Sequence, residues 1–353
     1  MTEAFWPGRR VLVTGHTGFK GAWLCSWLER LGAEVAAFAL PPAEPRSLWS
    51  LLHSRARSTF GDLRDPRAVR EAVRAARPQV VFHLAAQALV RESYREPVAT
   101  FATNVLGTAH LLEACRGLED LRALVVVTSD KVYENDGGGR AFEERDRLGG
   151  HDPYSASKAC AELVTASYRA SFFADGPPIA TARAGNVIGG GDRSPDRLIP
   201  DCVRALEAGE PVRLRYPRAV RPWQHVLDPL AGYLQLARVL TEAPARAPRS
   251  VNFGPDPASF RTAAEVVDAF GAQFGGRPGW RADGAPQPAE AASLRLSSAL
   301  ARAELGWRPR LDFEAAIAWT AEWHRAIAAG EDATAVTRAQ IERYATAIDG
   351  GIG

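Results

Sequence analysis

The sequence predicts an α/β fold, in which a doubly wound parallel sheet carries helices on both faces. Two observations support this fold class. Strand and helix signals alternate from the first residues to about residue 183, and several strand signals are short apolar runs typical of buried parallel strands. The 353-residue chain is 46% apolar and 24% charged, as globular proteins are, and is long enough for two domains or one large α/β unit.

Each element follows from hydrophobic periodicity and from the residues that end each run. Residues 11–14 form a β-branched run that stops at Gly15, and apolar side chains then recur at helical spacing until Gly32. The same criteria predict strands at 35–39, 80–84, 124–128 and 179–183, and a weaker strand that ends near residue 60. They predict helices at 66–76, 100–116 and 153–172.

The pattern changes after residue 186. Glycines, prolines and arginine-rich loops replace the alternation up to about residue 225, and helical patterns return at 226–240, 263–274 and 313–329. We expect residues 1–185 to form the sheet domain, which a later segment at about 223–245 rejoins. Residues 186–330 should form mainly a smaller mixed α/β C-terminal domain, followed by a polar tail at 331–353.

Composition argues against several classes of protein. The 43 basic and 41 acidic residues nearly balance, which disfavours nucleic acid or an anionic membrane as partner. No apolar run approaches the roughly 18 residues of a membrane span, and the first ten residues do not resemble a signal peptide, so we expect a soluble, cytoplasmic protein. Four isolated cysteines suit buried apolar roles, and no metal site is expected.

A glycine-rich turn lies between the first strand and the first helix. Gly15, Gly18 and Gly21 have Gly-x-x-Gly-x-x-Gly spacing, which lets the backbone approach a pyrophosphate at the positive end of a helix. This context predicts a dinucleotide site, at which Lys20 either adds charge near the phosphates or is an ordinary solvated lysine. Residues 38–42 provide no carboxylate for the ribose hydroxyls, so the choice between NAD and NADP stays open, and Asp62 could instead accept from the adenine or be a turn residue.

Lysine is rare in this chain, and its positions are informative. Only Lys20, Lys131 and Lys158 occur beside 40 arginines, which suggests that these positions need a compact ammonium that can lose its proton or fit a tight site. The alternative is that these three lysines remain by chance. Tyr154 and Lys158 are four residues apart on a predicted helix, so they share one face, and an ammonium near a phenol favours the phenolate. The tyrosine is therefore a candidate base.

With the glycine turn, the Tyr-x-x-x-Lys pair resembles the short-chain dehydrogenase/reductase superfamily, in its extended sugar-nucleotide branch. Further motifs narrow the resemblance to the family of CDP-glucose 4,6-dehydratases: HTGFKG at 16–21, SDKVYEN at 129–135, RAGNVIGGGD at 183–192 and RPWQHV at 221–226. In other 4,6-dehydratases of the branch, Glu stands where this chain has Lys131. The match extends from about residue 11 to 323.

The resemblance implies a Rossmann-type NAD-binding domain, a nucleotide-sugar substrate domain and an internal redox cycle. Tyr154, assisted by Lys158, would take the C4 hydroxyl proton while NAD takes hydride, and Ser129 would bond the C4 oxygen. Lys131 would be the base at C5 and Asp130 the acid at the C6 hydroxyl. A lysine base must at times be neutral, which arginine cannot be; the alternative is that Lys131 only pairs with Asp130.

The resemblance also implies binding residues, a CDP-hexose or close nucleotide-hexose as substrate, and a homo-oligomer, either dimer or tetramer. The expected cofactor-binding residues are Gly15, His16, Thr17, Gly18, Phe19, Lys20, Gly21, Asp62, Leu63, Leu84, Ala85, Ala86, Asn104, Thr128, Tyr154 and Lys158. The expected substrate-binding residues are Gln87, Tyr94, Asn186, Arg193, Leu198, Arg213, Arg221 and His225.

Two stretches depart from the family pattern. Residues 216–218 read Tyr-Pro-Arg where the family usually has Asn-Pro-His, and residues 289–291 read Ala-Glu-Ala where it often has His-Glu-Ala. Both fall in the expected substrate domain, so the nucleotide or sugar preference could differ. A 4-epimerase or decarboxylase of the same branch, and a non-catalytic dinucleotide-sensing protein, are the alternatives; Asp130 and Lys131 argue against the first, and the intact Tyr154 and Lys158 against the second.

Overall fold

The computed structural model describes residues 3–276, 279–284 and 294–349. Within them the strands are β1 Arg10–Thr14, β2 Glu34–Ala39, β3 Arg57–Phe60, β4 Val80–His83, β5 Ala123–Val127, β6 Ala141–Phe142, β7 Ile179–Arg183, β8 Val187–Ile188, β9 Val212–Leu214, β10 Val220–Pro222, β11 Gln224–His225, β12 Ser250–Asn252, β13 Phe260–Thr262, β14 Trp280–Ala282 and β15 Arg295–Leu296.

The helices of the same residues are α1 Phe19–Arg30, α2 Leu48–Leu51, α3 Pro66–Ala76, α4 Val90–Arg95, α5 Pro97–Phe101, α6 Gly107–Cys115, α7 Pro153–Phe172, α8 Leu198–Ala208, α9 Leu227–Glu242, α10 Ala263–Phe274, α11 Ala299–Leu305, α12 Phe313–Ala328 and α13 Ala333–Asp349.

Seven strands form one parallel sheet in the order β12-β7-β5-β4-β1-β2-β3, which confirms the predicted fold class. Helices cover both faces, so the residues of β4 and β5 are almost completely buried. The order changes direction between β1 and β4, and in such sheets ligands bind at the carboxyl ends of the strands beside that change.

Local chemistry explains where the helices of the sheet domain begin. Asp65 accepts a hydrogen bond from the Arg67 amide and is followed by Pro66, and Asp152 accepts from the Ser155 amide and is followed by Pro153. A short polar side chain satisfies one of the free N–H groups of the first turn, and proline suits the first helical position. These residues begin α3 and α7.

Two elements differ from the expectation. The predicted helix at 100–116 is divided into α5, a π-helical turn at Ala102–Leu106 and α6, and the turn carries the buried Asn104. The short β12, which the sequence analysis did not predict, extends the main sheet beside β7. A strand of three residues gives too short a pattern to be recognised from periodicity.

The second half of the chain packs against the sheet domain rather than standing apart from it. Helix α9 lies against β5 and β7, while α8, α10 and α12 surround a second apolar core. In the segment expected to be a polar tail, α13 buries Ile341 and Tyr344 against α1 and α12. The boundary near residue 186 stays a prediction. Within the described residues, no helix has the length and apolar character needed to cross a bilayer.

Candidate active site

A cavity of about 640 Å³ opens at the carboxyl ends of the sheet strands, a volume typical of a small-molecule site. Its walls come from both halves of the chain. The first helix, the segment after β5 and the start of α7 form one side, and the loops around β8, α8 and β9–β10 form the other.

The segment after β5 turns immediately into the cavity. Ser129 accepts a hydrogen bond from the Lys131 amide (3.2 Å), which begins a single 3-10 turn and directs Asp130 inward. Asp130 Oδ1 accepts from the Ser129 hydroxyl (3.0 Å) and from Lys131 Nζ (3.1 Å). The Asp130 side chain is 1% exposed and that of Lys131 is 30% exposed, so the lysine reaches into the open part of the cavity.

The second oxygen of Asp130 has no hydrogen-bond partner among the described residues, although it is fully buried. The backbone of Gly185 passes beside it: a Cβ placed on Gly185 would lie 1.8 Å from Asp130 Oδ2. Only a glycine therefore leaves room for this carboxyl group.

Tyr154 and Lys158 lie on one face of α7, as their spacing predicts. Tyr154 lines the cavity, whereas the Lys158 ammonium donates to the Val127 carbonyl (3.2 Å). Burial raises the pKa of Tyr154, and the hydrogen bond with Ser129 and the positive charge of Lys131 oppose that rise. The Lys158 ammonium points to the strand, and its expected effect on the pKa of Tyr154 stays a prediction. Burial lowers the pKa of Lys158 itself to about 8.

The glycine turn has the shape of a phosphate cradle. A Cβ on Gly15 would lie 2.6 Å from the Ala85 nitrogen, and one on Gly21 would lie 2.1 Å from the Gly15 oxygen, so neither position admits a side chain. The turn leads into α1, whose first amide groups are free to bind an anion. These observations fit a dinucleotide, whose pyrophosphate needs such close backbone contact.

Lys20 extends from the first turn of α1 into the cavity. Its side chain is partly buried, and this desolvation together with the charges of Arg197, Lys158 and Lys131 lowers its pKa to about 7, while Asp130 opposes that shift. Lys20 and Lys131 thus line the cavity, and Lys158 is buried on the helix that carries Tyr154. That these positions need lysine rather than arginine stays a prediction.

Other predicted cofactor residues are engaged within the protein. Asp62 binds the Arg64 guanidinium through both oxygens, and the side chain of Asn104 bonds the Gln87 backbone and the Ser157 hydroxyl. His16 is buried and bonds Ser58, and Thr17 bonds the carbonyl of Leu40 at the end of β2. The roles of these residues toward a cofactor, and those of Leu63, Leu84, Ala86 and Thr128, stay predictions.

On the opposite side, most of the predicted substrate residues line the cavity. These are Tyr94, Asn186, Leu198, Arg213 and Arg221. Asn186 has a φ of +47°, a left-handed conformation in which asparagine is enriched and which begins the turn into β8. Tyr216 of the unusual Tyr-Pro-Arg stretch lines the cavity too, whereas the stretch at 289–291 lies outside the described residues.

Three predicted substrate residues are not brought to the cavity wall. Gln87 folds back to bond the Leu89 carbonyl and the Thr100 hydroxyl, and Arg193 faces Glu44 and Glu207. His225 is completely buried; its ring packs edge-on against Trp23 and Trp319, and burial lowers its pKa to about 3, so it stays neutral. The sequence shows that these side chains are polar but not which way they face.

The sequence analysis missed Arg197, which the structure places in the cavity. Its guanidinium is bound by Asp192 (3.0 Å) and acts electrostatically on Tyr154. The nearby Asp196 has a φ of +61° and pairs with Arg91 and Arg215. The sequence signal that could have identified Arg197 is its position directly before α8, next to Leu198, which was predicted to bind the substrate. No group of His, Cys, Asp and Glu able to hold a metal occurs among the described residues.

Comparison with known proteins gives a consistent result. The model of the NAD dependent epimerase/dehydratase family matches residues 11–254. The chain is 42% identical to the CDP-glucose 4,6-dehydratase of Salmonella typhimurium over 97% of this chain and 98% of that protein. It is 30% identical to a dTDP-glucose 4,6-dehydratase of Xanthomonas campestris pv. campestris, over 89% and 92% of the two chains.

Among solved structures, a UDP-glucose 4-epimerase of Thermus thermophilus in complex with NAD is similar, with a TM-score of 0.77 and 30% identity. The match covers 89% of this chain and 98% of the epimerase.

Proposed function

The chain belongs to the NAD dependent epimerase/dehydratase family, and from this premise we propose that it is a CDP-glucose 4,6-dehydratase. It would convert the nucleotide-bound glucose to the 4-keto-6-deoxy sugar with loss of one water. The observation that carries this proposal is the buried Asp130, paired with Lys131 directly beside Tyr154 in one cavity. The 42% identity to the Salmonella typhimurium enzyme supports CDP as the nucleotide.

The first step is oxidation at C4 of the sugar. Tyr154 is the base for the C4 hydroxyl proton, because it lines the cavity and bonds Ser129, whose hydroxyl can also hold the C4 oxygen. The positive charge of Lys131 favours the phenolate form that accepts this proton, and Lys158, one turn further along α7, is the expected second cation. When bound, NAD supplies the oxidant for C4 and later returns the same hydride to C6.

The second step is loss of water across C5 and C6. The 4-keto group acidifies the C5 hydrogen, which Lys131 Nζ takes as a proton while the C6–O bond breaks. Asp130 donates the proton that turns the departing hydroxyl into water, and its unpartnered Oδ2 is the atom that can hold this proton. In the last step C6 receives the hydride and Lys131 returns its proton to C5. The proton that Tyr154 took from the C4 hydroxyl, exchanged through solvent, replaces the one that Asp130 gave to the departing water.

The diphosphate of the substrate needs positive charge on the opposite wall. Arg197, Arg213 and Arg221 line that side of the cavity, and planar guanidinium groups suit phosphate oxygens. Arg197 is already oriented by Asp192, so it loses little freedom when it binds. Asn186 can add an amide contact to the same group.

Self-association is the remaining part of the proposal. Val98, Leu106 and Leu163 are more than half exposed, on the contacting helices α5 to α7. Apolar side chains clustered on two packed helices suit an interface with a second copy of the chain. Sedimentation of the protein and of Leu163→Glu tests this; a species of unchanged mass in both would contradict it. A cytoplasmic location stays a prediction.

Product mass is the direct test of the function. The protein with NAD is incubated with CDP-, dTDP-, GDP- and UDP-glucose, and each product is weighed. We expect loss of one water, fastest with CDP-glucose, and no net NADH. An isomer of unchanged mass would indicate a 4-epimerase, and loss of carbon dioxide from the corresponding uronic acids a decarboxylase. Binding of NAD without any product would indicate a sensing protein.

A further inference from the structure

A buried ion pair lies directly behind the catalytic side chains. Glu162 follows Lys158 by one turn of α7, and Arg183 ends β7; their side chains are 5% and 3% exposed. Glu162 accepts from Arg183 Nε (2.8 Å) and Nη2 (2.9 Å), and also from the hydroxyls of Thr128 (2.5 Å) and Thr181 (2.6 Å). Every carboxylate oxygen is thus saturated.

Stability alone is a poor explanation for this pair. Two charges lose their hydration on burial, and replacement of such pairs by apolar side chains of similar size is often neutral or stabilising. The proposed mechanism does not use either residue. We therefore asked which parts of the active site the pair contacts.

The pair contacts both ends of the segment at residues 128–133, which carries Ser129, Asp130 and Lys131. Glu162 binds the hydroxyl of Thr128, the first residue of the segment. Arg183 Nη1 donates to the hydroxyl of Tyr133, the last residue (2.7 Å), and that hydroxyl donates to Asn252 (2.7 Å). Between these two contacts the chain makes its turn into the cavity.

We propose that Glu162 and Arg183 are a positioning pair: Glu162 fixes the start and Arg183 the end of residues 128–133, so that the acid and the base between them keep their places. Neither residue touches the substrate. The proposal rests on the proposed dehydratase function.

The same pair sets the charge environment of Lys158. The charged or titratable groups that act on or respond to Lys158 are Glu162 on its own helix, His83 on β4 and Lys20 on α1. His83 is neutral, because burial lowers its pKa to about 3. Glu162 is then the nearby negative charge that opposes the burial of the ammonium, while Arg183 and, farther along α7, Arg169 face Glu162.

Two matched threonine variants test the positioning role. Thr128→Val and Thr181→Val each remove one hydroxyl from the same carboxylate, but only Thr128 belongs to the segment. We expect both to lower the thermal midpoint similarly. Thr128→Val should lower kcat about 10-fold or more, with KM and the NAD dissociation constant within about 3-fold, whereas Thr181→Val should keep kcat within about 2-fold. Equal kcat in the two variants would overturn the proposal.

Two further variants keep the proposal testable should Thr128→Val not fold. Tyr133→Phe removes the contact at the other end and should lower kcat by about 3-fold or more; an unchanged kcat would contradict the role of Arg183. Glu162→Gln should move the alkaline limb of the kcat profile to lower pH, since Lys158 loses its opposing charge, and Thr181→Val should not move it. If the alkaline limb of Glu162→Gln lies at the same pH as that of the parent, Glu162 does not set the charge environment of Lys158. If the parent enzyme itself removes no water, the proposed function has failed instead.

Discussion

The two sides of the cavity differ in how their side chains are held. On the sheet side, strand ends and one helix place the polar groups, and these groups are paired with one another, as Asp130 is with Lys131. On the other side, the lobe side formed by the loops around β8, α8 and β9–β10, arginines line the cavity, and Arg197 among them is held by Asp192. Under the proposed function, the sheet side carries the acid and the base on strand ends and a helix, whereas the lobe side carries positive charge on loops for the diphosphate.

Replacement of the proposed base should have the largest effect and tests the sheet side directly. Lys131→Arg keeps the positive charge and the contact with Asp130 but cannot become neutral. We expect kcat to fall by about 10²–10⁴-fold, the usual cost of a lost general base. Oxidation at C4 should survive, so bound NADH should accumulate, while exchange of the C5 hydrogen with deuterated solvent stops. Turnover near the parental rate would remove Lys131 from the role of base.

The second-largest effect is expected from Gly185→Ala, a substitution that removes no polar group. Gly185→Ala brings a methyl group to 1.8 Å from Asp130 Oδ2, so the carboxyl group must move. We expect kcat to fall about 10–100-fold with little change in the binding of CDP, because a displaced acid no longer reaches the C6 hydroxyl. Gly284→Ala is the matched control, since its Cβ meets nothing within 4 Å in the part of the chain that the structure describes. Similar rates in both variants would mean that Asp130 tolerates displacement.

Two neighbouring arginines test the lobe side. Arg197 faces the cavity and Arg193 faces Glu44 and Glu207. Loss of a charge-assisted hydrogen bond costs about 1.5–3 kcal/mol, so Arg197→Met should raise KM for the nucleotide sugar about 10–100-fold. Arg193→Met should change it less than about 2-fold. A larger rise of KM in Arg193→Met than in Arg197→Met would support Arg193, the residue that the sequence analysis predicted to bind the substrate.

The smallest effect on activity is expected far from the cavity, at Asp228. Its buried carboxyl group bonds the Tyr344 hydroxyl of α13 and the Arg310 amide, and burial raises its pKa to about 7. Above about pH 4 the unfolded chain releases this proton but the folded chain keeps it. The contribution of Asp228 to stability is therefore complete at low pH and is lost as the pH rises to about 7.

Asp228→Asn removes this titration while retaining the acceptor. Relative to the variant, the parent should lose at least ~1 kcal/mol of unfolding free energy between pH 4 and pH 8, since one pKa unit corresponds to about 1.4 kcal/mol. Urea unfolding at several pH values measures it. The buried histidines act equally on both proteins and cancel. Parallel curves of unfolding free energy against pH for the two proteins would show that the Asp228 carboxyl group has an ordinary pKa. The kcat of the variant should equal that of the parent at each pH.

The sequence was a good guide to the sheet side for physical reasons. A motif directly after a buried strand, such as Ser129 and Asp130 after β5, must lie at the carboxyl edge of the sheet, and a spacing of four puts Tyr154 and Lys158 on one face. The parallel direction of the strands also follows from their alternation with helices, whereas their order in the sheet was not predicted.

The same reasoning fails where loops decide the direction of a side chain. Arg193 and Arg197 lie in one loop, and the left-handed Asp196 between them is one of the backbone features that determine their directions. His225 was expected in the cavity, but it follows Gln224 into β11, whose side chains are fully buried. Neither the backbone conformation of a loop nor the packing of a two-residue strand is visible in a hydrophobic pattern.

The three lysines have a consequence for proteolysis. A lysine-specific endoproteinase has only three places to cut this chain, after Lys20 in α1, after Lys131 in the turn behind β5 and after Lys158 in α7. Each of these bonds lies in a structured element around the cavity, so the folded protein should resist this enzyme while trypsin still cuts at exposed arginines. The release of fragments 1–20, 21–131, 132–158 and 159–353 would then follow the opening of the active site itself, with no substrate or cofactor required for the measurement.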